Sequence, residues 1–266
     1  MQERHRDRQK YFEEQSLTTL RHVVPYLKQS SSLAAGMRIL EIGCGEGGNL
    51  APLLDLGCEV VGVDYVASRI ALAEKQFEQH PLRNKLTLEV ADIYDWNPER
   101  PIFDLIIMRD VIEHIHDQER FMEIVKRFMH SKSHFFLAFP PWQNPFGGHQ
   151  QICSNRWLSK LPYYHLLPKF LYKSILKSAG ESPKTVDDLL EIKETGISLE
   201  RFERICSARR FDIVDRTWWF INPNYEIKFG LRPRKIWSFA GLFPYLRNFY
   251  ITCGYYILKN KESKAD

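Results

Sequence analysis

Residues 37–48 read MRILEIGCGEGG, in which an apolar run leads directly into a cluster of glycines. The apolar, β-forming residues predict a buried strand over residues 37–42, and the pattern after the glycines predicts a helix near 48–56. Glycines between a strand and a helix permit positive φ angles and let the backbone approach a ligand closely. This segment therefore predicts a strand, a tight loop and a helix whose first N–H groups are free to bind a ligand.

The alternation of strand and helix continues on the C-terminal side of this loop. Four further strands are predicted at the runs EVVGVD, KLTLEV, FDLIIM and HFFLAF, of which the last ends at residue 139. Helical patterns near residues 66–79 and 117–130 lie between these strands. Crossovers of this length predict a parallel, doubly wound α/β sheet. A helix over 199–209 then leads to two more strand-like runs, FDIVDRTWWFI and YITCGYYIL.

The chain is predicted to consist of a core with added segments. Residues 1–36 carry apolar positions at helical spacing and predict an N-terminal helical segment. The core is predicted over residues 37–139, 197–222 and 249–260. Two irregular stretches, 140–196 and 223–248, are predicted to be insertions that form a helical lid over a bound substrate.

Composition and charge exclude several classes of protein. The 266 residues include 37 Lys and Arg against 33 Asp and Glu, and this small excess does not by itself indicate nucleic-acid binding. Five scattered cysteines without a CxxC pair indicate reduced thiols, and no signal-peptide pattern is visible, so we predict a cytoplasmic protein. No apolar run approaches the roughly 20 residues of a membrane-spanning helix.

The glycine loop and the end of the second strand predict a nucleotide-type cofactor site. Asp64 ends the second strand, where a carboxylate can accept hydrogen bonds from both hydroxyls of a ribose. However, Gly43, Gly45 and Gly48 also satisfy the GxGxxG spacing of dinucleotide-binding proteins. These residues alone therefore leave an NAD-dependent reductase as an alternative.

The third and fourth strands argue against the reductase. VADIYDW places Asp92 just past the end of the third strand, and FDLIIMRDVIEH spans the fourth strand and the residues that follow it. With these segments, residues 37–140 resemble the class I S-adenosylmethionine-dependent methyltransferases, especially the family that contains the ubiquinone-biosynthesis O-methyltransferases and many small-molecule methyltransferases. The resemblance implies a Rossmann-like, seven-stranded sheet whose last strand is antiparallel and inserted beside the previous one.

The resemblance also implies which residues bind S-adenosyl-L-methionine. The loop around the methionine part is assigned to Glu41, Gly43, Cys44, Gly45 and Gly47, the ribose to Asp64 and Tyr65, the adenine to Asp92 and Ile93, and the floor beside the methyl donor to Arg109 and Asp110. These assignments are expectations that follow from the family and not from the spacing of the residues.

A histidine after the fifth strand is the candidate catalytic residue. Methyl transfer from a sulfonium displaces an already activated carbon, so a base is needed only when the acceptor must lose a proton. His149 lies in a glycine turn near the expected acceptor entrance, and we predict it as the general base or an acceptor-binding residue. Asp110, Glu113 and His114 would share a helical face, but this set suits magnesium or manganese only loosely, and we predict no metal.

Both insertions combine basic and aromatic residues, in particular over residues 152–180 and 227–249. Such surfaces suit a phosphate-bearing small substrate, a membrane that presents a lipid acceptor, or single-stranded nucleic acid. We predict a small-molecule, sugar or lipid-like acceptor methylated on oxygen, with peripheral membrane contact as an option and nucleic acid ranked last. The alternatives are the NAD-dependent reductase and an RNA- or membrane-binding module with a vestigial cofactor fold.

Overall fold

The computed structural model describes residues 7–237 and 239–261. Within these residues the strands are β1 Arg38–Ile42, β2 Glu59–Asp64, β3 Leu86–Val90, β4 Phe103–Arg109, β5 Met129–Phe139, β6 Phe211–Ile221, β7 Arg234–Lys235 and β8 Cys253–Asn260. They form one sheet in the order β3-β2-β1-β4-β5-β8-β6-β7. The first six residues of the predicted N-terminal segment lie outside the described residues.

The strand directions confirm a doubly wound α/β sheet. Strands β1 to β5 pair in parallel, as the length of the crossovers between them predicts. The last strand, β8, lies between β5 and β6 and is antiparallel to both, which confirms the expected insertion of that strand.

The expected number of seven strands is corrected to eight across the described residues. The additional strand, β7, contains two residues and pairs with the end of β6, where Lys235 lies opposite Trp219 and Arg234 opposite Ile221. This strand falls within residues 223–248, which were predicted to be irregular. The chain folds back along the edge of β6 for two residues only, and so short a run gives no periodic pattern.

Helices cover the sheet at the expected places. Their bounds are α1 Arg8–Thr18, α2 Val24–Ser30, α3 Ala51–Asp55, α4 Ala67–Phe77, α5 Gln118–Val125, α6 Lys169–Ser178, α7 Pro183–Thr195, α8 Leu199–Ala208 and α9 Asn224–Phe229. One π-helical turn, Thr19–Val23, joins α1 to α2. Pro25 follows this turn at the start of α2, and its ring and missing N–H disturb the regular hydrogen-bond pattern of the preceding turn.

Alternate residues of the central strands pack into two separate cores. Leu40, Ile106 and Phe135 belong to one core, and their neighbours Ile39, Leu105 and Phe136 belong to the other. This alternation is typical of a sheet that is covered on both faces. A third cluster, which includes Tyr172 and Leu189, lies inside the first insertion and gives that segment its own small core.

The first insertion is joined to the core at its two ends. Trp142 donates its backbone N–H to the Ile197 carbonyl at 2.8 Å, and the Gln118 amide donates to the Thr195 carbonyl at 2.7 Å. These bonds hold the insertion beside the C-terminal ends of β4 and β5. Its role as an acceptor lid stays a prediction.

All five cysteines are buried and free. Among the described residues, no helix combines the length and the apolar composition that crossing a membrane requires. The predicted cytoplasmic location stays a prediction.

Candidate cofactor and acceptor site

Three glycines of the loop after β1 have positive φ, namely Gly43 at 73°, Gly45 at 56° and Gly47 at 82°. A Cβ at Gly43 would lie 2.6 Å from Val111, and one at Gly47 would lie 2.7 Å from Phe77, so tight packing excludes larger residues there. A Cβ at Gly45 would have no described atom within 4 Å. The backbone at Gly45 therefore borders open space, which a ligand can approach.

The carboxylate of Asp64 lies directly against this loop. Its Oδ2 accepts from the Gly45 N–H and its Oδ1 accepts from the Val66 N–H, both at 2.9 Å. The side chain of Asp64 is buried, and the Arg69 guanidinium lies 3.8 Å away. Two backbone donors thus fix the orientation of the carboxylate, and each oxygen keeps acceptor capacity for a ribose hydroxyl.

Glu41 forms the other side of the loop and is buried. Its Oε1 accepts from the Asn49 amide at 2.9 Å, whereas its buried Oε2 has no hydrogen-bond partner among residues 7–237 and 239–261. Burial raises the pKa of Glu41 to about 7, and the Asn49 hydrogen bond and the Arg109 charge oppose this rise. The unpaired oxygen fits the ammonium group of a methionine moiety, which would supply the missing donor.

This pKa predicts a pH-dependent affinity for the cofactor product S-adenosylhomocysteine. A cationic ammonium binds the ionised form of Glu41 better, so affinity should rise as pH increases through about 7 and level off above it. Between about pH 6 and pH 8 the expected gain is roughly tenfold. Calorimetric titrations at several pH values measure it, and Glu41→Gln should flatten the profile. A pH-independent affinity of the unchanged protein would contradict this role of Glu41.

Arg109 connects the elements around the loop. Its buried guanidinium donates to Thr19 and Asn49, both at 2.7 Å, and to Asn224 at 3.1 Å. Asn49 in turn accepts from the Thr19 hydroxyl at 2.9 Å. Arg109 therefore ties the π-helical turn, the glycine loop and α9 together. Its predicted contact with the methyl donor stays a prediction.

The remaining predicted cofactor residues lie at the same edge of the sheet but differ in exposure. Asp110, exposed and with φ of 54°, donates its N–H to the Ala138 carbonyl at 2.8 Å. Asp92 is exposed, and its Oδ1 accepts from the Tyr94 N–H at 3.0 Å. Ile93 is buried in the core.

The side chains of Cys44 and Tyr65 are less suited to contact a cofactor than those of Glu41 and Asp64. The Cys44 thiol is buried against Gly62, and burial raises its pKa, so only the backbone of Cys44 is positioned for a ligand at the loop. Tyr65 is 77% exposed, and its predicted contact with the ribose stays a prediction.

Helix α1 covers the loop from the N-terminal side. Arg8 forms an ion pair with Glu46, and the backbone of Phe12 lies so close to Gly48 that a Cβ there would be 2.7 Å from its carbonyl oxygen. Burial raises the pKa of Tyr11, and the Asp110 carboxylate raises it further. The side chain of Tyr11 is therefore enclosed near the ends of β1 and β4, where a cofactor would bind.

Four residues of this site were not predicted from the sequence, namely Tyr11, Thr19, Asn49 and Asn224. Asn49 directly follows the glycine loop, and that position was a usable signal. The other three come from distant segments and carry no local pattern that indicates a site.

His149 lies beside two other titratable residues in the acceptor region. Its backbone is left-handed, with φ of 53°, and its ring centroid lies 5.0 Å from that of His114. Its Nε2 lies 3.9 Å from an oxygen of Glu113, whose carboxylate is buried without a hydrogen-bond partner in the described part of the chain. One possible ligand atom from each of these three residues lies within 4.8 Å of the others. The structure thus groups Glu113 and His114 with His149, whereas the sequence pattern grouped them with Asp110.

The protonation of this cluster follows from burial. Burial lowers the pKa of His149 to about 3 and also lowers that of His114. Burial, together with the charge of Asp110, raises the pKa of Glu113 well above its usual value. At neutral pH the imidazole of His149 is therefore uncharged. It is a weaker base than an ordinary histidine, whose pKa lies near neutrality. The His149 imidazole can accept a hydrogen bond from a hydroxyl, and the three residues also have the ligand types of a divalent cation site, so the absence of a metal stays a prediction.

Comparison with known proteins identifies the class of this site. A family model described as a methyltransferase domain matches residues 10–180, which is more than half of the chain. The chain belongs to this methyltransferase domain family. The match confirms the resemblance to the class I S-adenosylmethionine-dependent methyltransferases, for which S-adenosylmethionine is the cofactor. The NAD-dependent reductase and the module with a vestigial fold are left without support.

Curated relatives are ubiquinone biosynthesis O-methyltransferases. The protein from Bartonella bacilliformis is 29% identical over 162 residues, which cover 58% of this chain and 63% of that protein. The mitochondrial protein from Rattus norvegicus is 30% identical over 106 residues, which cover 39% of this chain and 31% of the relative. The chain thus matches less than two thirds of the length of either. The Pelagibacter ubique protein is 24% identical over 213 residues, which cover 76% of this chain and 78% of that protein.

Solved structures show the same fold at low sequence identity. Phosphoethanolamine N-methyltransferase 2 from Haemonchus contortus, in complex with S-adenosyl-L-methionine, has a TM-score of 0.56 at 16% identity and covers 90% of this chain and 52% of that chain. Geranyl diphosphate C-methyltransferase from Streptomyces coelicolor has a TM-score of 0.56 at 13% identity and covers 89% of this chain and 77% of that chain.

Proposed function

We propose that this chain transfers a methyl group from S-adenosylmethionine to the oxygen of a small, lipid-like acceptor. The observation that carries the proposal is the position of a neutral imidazole, His149, beside the buried carboxyl of Glu113. A hydroxyl acceptor must lose a proton on methylation, and a neutral imidazole can accept it. The similarity to ubiquinone biosynthesis O-methyltransferases supports oxygen as the acceptor atom.

Residues at the ends of β1 and β2 would bind the cofactor. S-adenosylmethionine supplies an activated methyl group when bound. Asp64 would accept from the ribose hydroxyls, and Glu41 would neutralise the ammonium group. Helix α1, with Tyr11 enclosed beneath it, would exclude water from the site, because the local electrostatic interactions are stronger when water is absent.

Residues on the acceptor side would hold the substrate and move its proton. Orientation of acceptor and donor can supply much of the rate acceleration, and His149 would then take the hydroxyl proton as the new C–O bond forms. The first insertion, which carries His149, also supplies aromatic and basic residues, including Trp142 and Lys193, whose ammonium lies 5.4 Å from the Trp142 ring centre. A pocket lined by these aromatic and basic side chains would suit an apolar acceptor that carries a phosphate group.

Methyl transfer from labelled S-adenosylmethionine tests the proposal. A polyprenylated phenol or catechol should be methylated, and His149→Gln should lower kcat about 100-fold while leaving the affinity for S-adenosylhomocysteine unchanged. His134→Gln is the matched control, because His134 lies on β5 and burial lowers its pKa as well, to about 4. Its kcat should be unchanged.

Two outcomes of this assay would change the proposal. Preferential methylation of a small amine, with His149→Gln as active as the unchanged protein, would contradict oxygen methylation assisted by His149. Loss of activity with EDTA, restored by Mg²⁺ or Mn²⁺, would assign Glu113, His114 and His149 to a cation in place of a free base.

A further inference from the structure

The loop between β7 and β8 is anchored through its polar side chains. Arg247 is buried, donates to Glu200 at 2.8 Å, and lies 4.1 Å over the ring of Trp218. Asn248 is also buried and donates to the other oxygen of Glu200 at 2.5 Å. The Tyr245 N–H adds a third bond to this carboxylate, at 2.8 Å. A buried, fully bonded carboxylate on α8 therefore fixes the conformation of the loop.

The same loop exposes its large apolar side chains. The exposed residues are Trp237, Phe239, Leu242, Phe243, Tyr245, Leu246 and Phe249. Leu242 is 75% exposed and Trp237 73%. The usual arrangement of a surface loop is thus reversed, with charged and amide groups inside and aromatic and aliphatic groups outside. Because the loop is anchored by Glu200, these side chains cannot reach the core without breaking buried hydrogen bonds.

This surface continues onto the first insertion. The Tyr163 hydroxyl donates to the Phe249 carbonyl at 2.9 Å, and the two ring centroids lie 6.4 Å apart. Tyr163 is itself exposed, and its N–H donates to the carbonyl of Pro145, four residues before His149, at 2.9 Å. We call Tyr163 and the seven loop residues the interfacial surface. It lies next to the segment that carries the candidate acceptor site.

The two stretches of chain that form the interfacial surface carry only positive charges, and the acids that pair with Arg247, namely Glu200 and Glu203, come from α8. No Asp or Glu occurs in residues 124–180 or 227–261, the two stretches that contain the surface. Arg232, Arg234 and Lys235 are exposed just before the loop. A second copy of this chain would bring the same positive charge to the contact, which opposes self-association. Leu242 and Leu246 cannot stack on nucleic-acid bases, whereas leucine, tryptophan, phenylalanine and flanking cations together suit the headgroup region of a bilayer.

We propose that the interfacial surface binds the headgroup region of membranes that contain anionic lipids. Its aromatic and leucine side chains enter the interface, and the neighbouring arginines and lysine attract the negative headgroups. The proposal does not depend on which acceptor the enzyme methylates. Its test measures membrane binding and not methyl transfer, so its failure would leave the proposed function standing.

Vesicle flotation of the full chain tests the proposal. Vesicles of phosphatidylcholine with about one third phosphatidylglycerol should bind the protein, vesicles of phosphatidylcholine alone should bind it more weakly, and added salt should weaken binding. The double variant Leu242→Ser, Phe243→Ser should reduce binding at least about tenfold. Val214→Ser is the matched control, because Val214 is 50% exposed near the opposite end of β6, and it should bind like the unchanged protein.

A second measurement does not depend on the folding of the double variant. Brominated lipids quench tryptophan fluorescence by contact, so they should quench the unchanged protein, and Trp237→Phe should remove most of that quenching. Absence of both flotation and quenching with anionic vesicles would overturn the proposal. So would vesicle-independent dimers or RNA binding that the double variant abolishes, because either would assign the surface to a different partner.

Discussion

Asp64→Ala is expected to weaken the binding of S-adenosylhomocysteine by at least about 100-fold. Asp64 would form two charge-assisted hydrogen bonds with the ribose, each of which contributes about 1.5 to 3 kcal/mol. The substitution also leaves the N–H groups of Gly45 and Val66 without their carboxylate, so the loop loses its fixed orientation. Calorimetric titration measures the change directly. Asp64→Asn, which keeps one acceptor oxygen, should lie between the alanine variant and the unchanged protein.

Asp212→Asn is the control for this prediction, because Asp212 is an exposed residue at the far end of the sheet on β6. It should bind the ligand normally. Thermal unfolding of all variants separates a loss of affinity from a loss of folded protein. Undiminished affinity in a folded Asp64→Ala variant would rule out the assigned cofactor site.

Arg109→Met is expected to lower the free energy of unfolding by about 3 kcal/mol. The substitution removes three hydrogen bonds from a buried guanidinium, and the Asn224 oxygen and the loop around Asn49 lose their charged donor. Because Thr19 is one of the partners, the N-terminal helices should also detach more readily. Urea denaturation gives the stability, and limited proteolysis of the residues before β1 reports the detachment.

Arg100→Met provides a comparison, because Arg100 pairs with Glu59 at 3.0 Å at an exposed position. Exposed pairs contribute less than about 1 kcal/mol, so this variant should unfold almost like the unchanged protein. Equal stability of the Arg109→Met variant would show that the network is dispensable.

The sheet could be predicted from sequence because its signals are local. Short runs of apolar, β-forming residues predicted β1 to β6 and β8, and the glycines and Asp64 lie at the strand ends, where parallel strands place ligands. The antiparallel direction of β8 came only from the family resemblance, since strand direction leaves no mark in a single run of residues. Two-residue β7 has no periodicity to detect.

The rest of the candidate site depends on contacts between distant parts of the chain. Thr19 and Arg109 are 90 residues apart, and Asn224 lies 115 residues beyond Arg109, so no spacing connects them. The low pKa of His149 results from burial beside His114 and His165, which a sequence pattern cannot show. Site residues could thus be proposed from sequence where they lie at a strand end or in the adjoining loop. The pKa values of buried residues could not be predicted, because they depend on contacts between distant segments.

The position of β8 has a consequence for how this protein is made. The strand that fills the gap between β5 and β6 is synthesised after both of them. Until it emerges from the ribosome, β5 presents an open edge and the β6–β7 hairpin has no place in the sheet. Exposed strand edges invite pairing with other chains. A nascent chain that pauses between Lys235 and Cys253 would therefore be most exposed to aggregation and most dependent on chaperones.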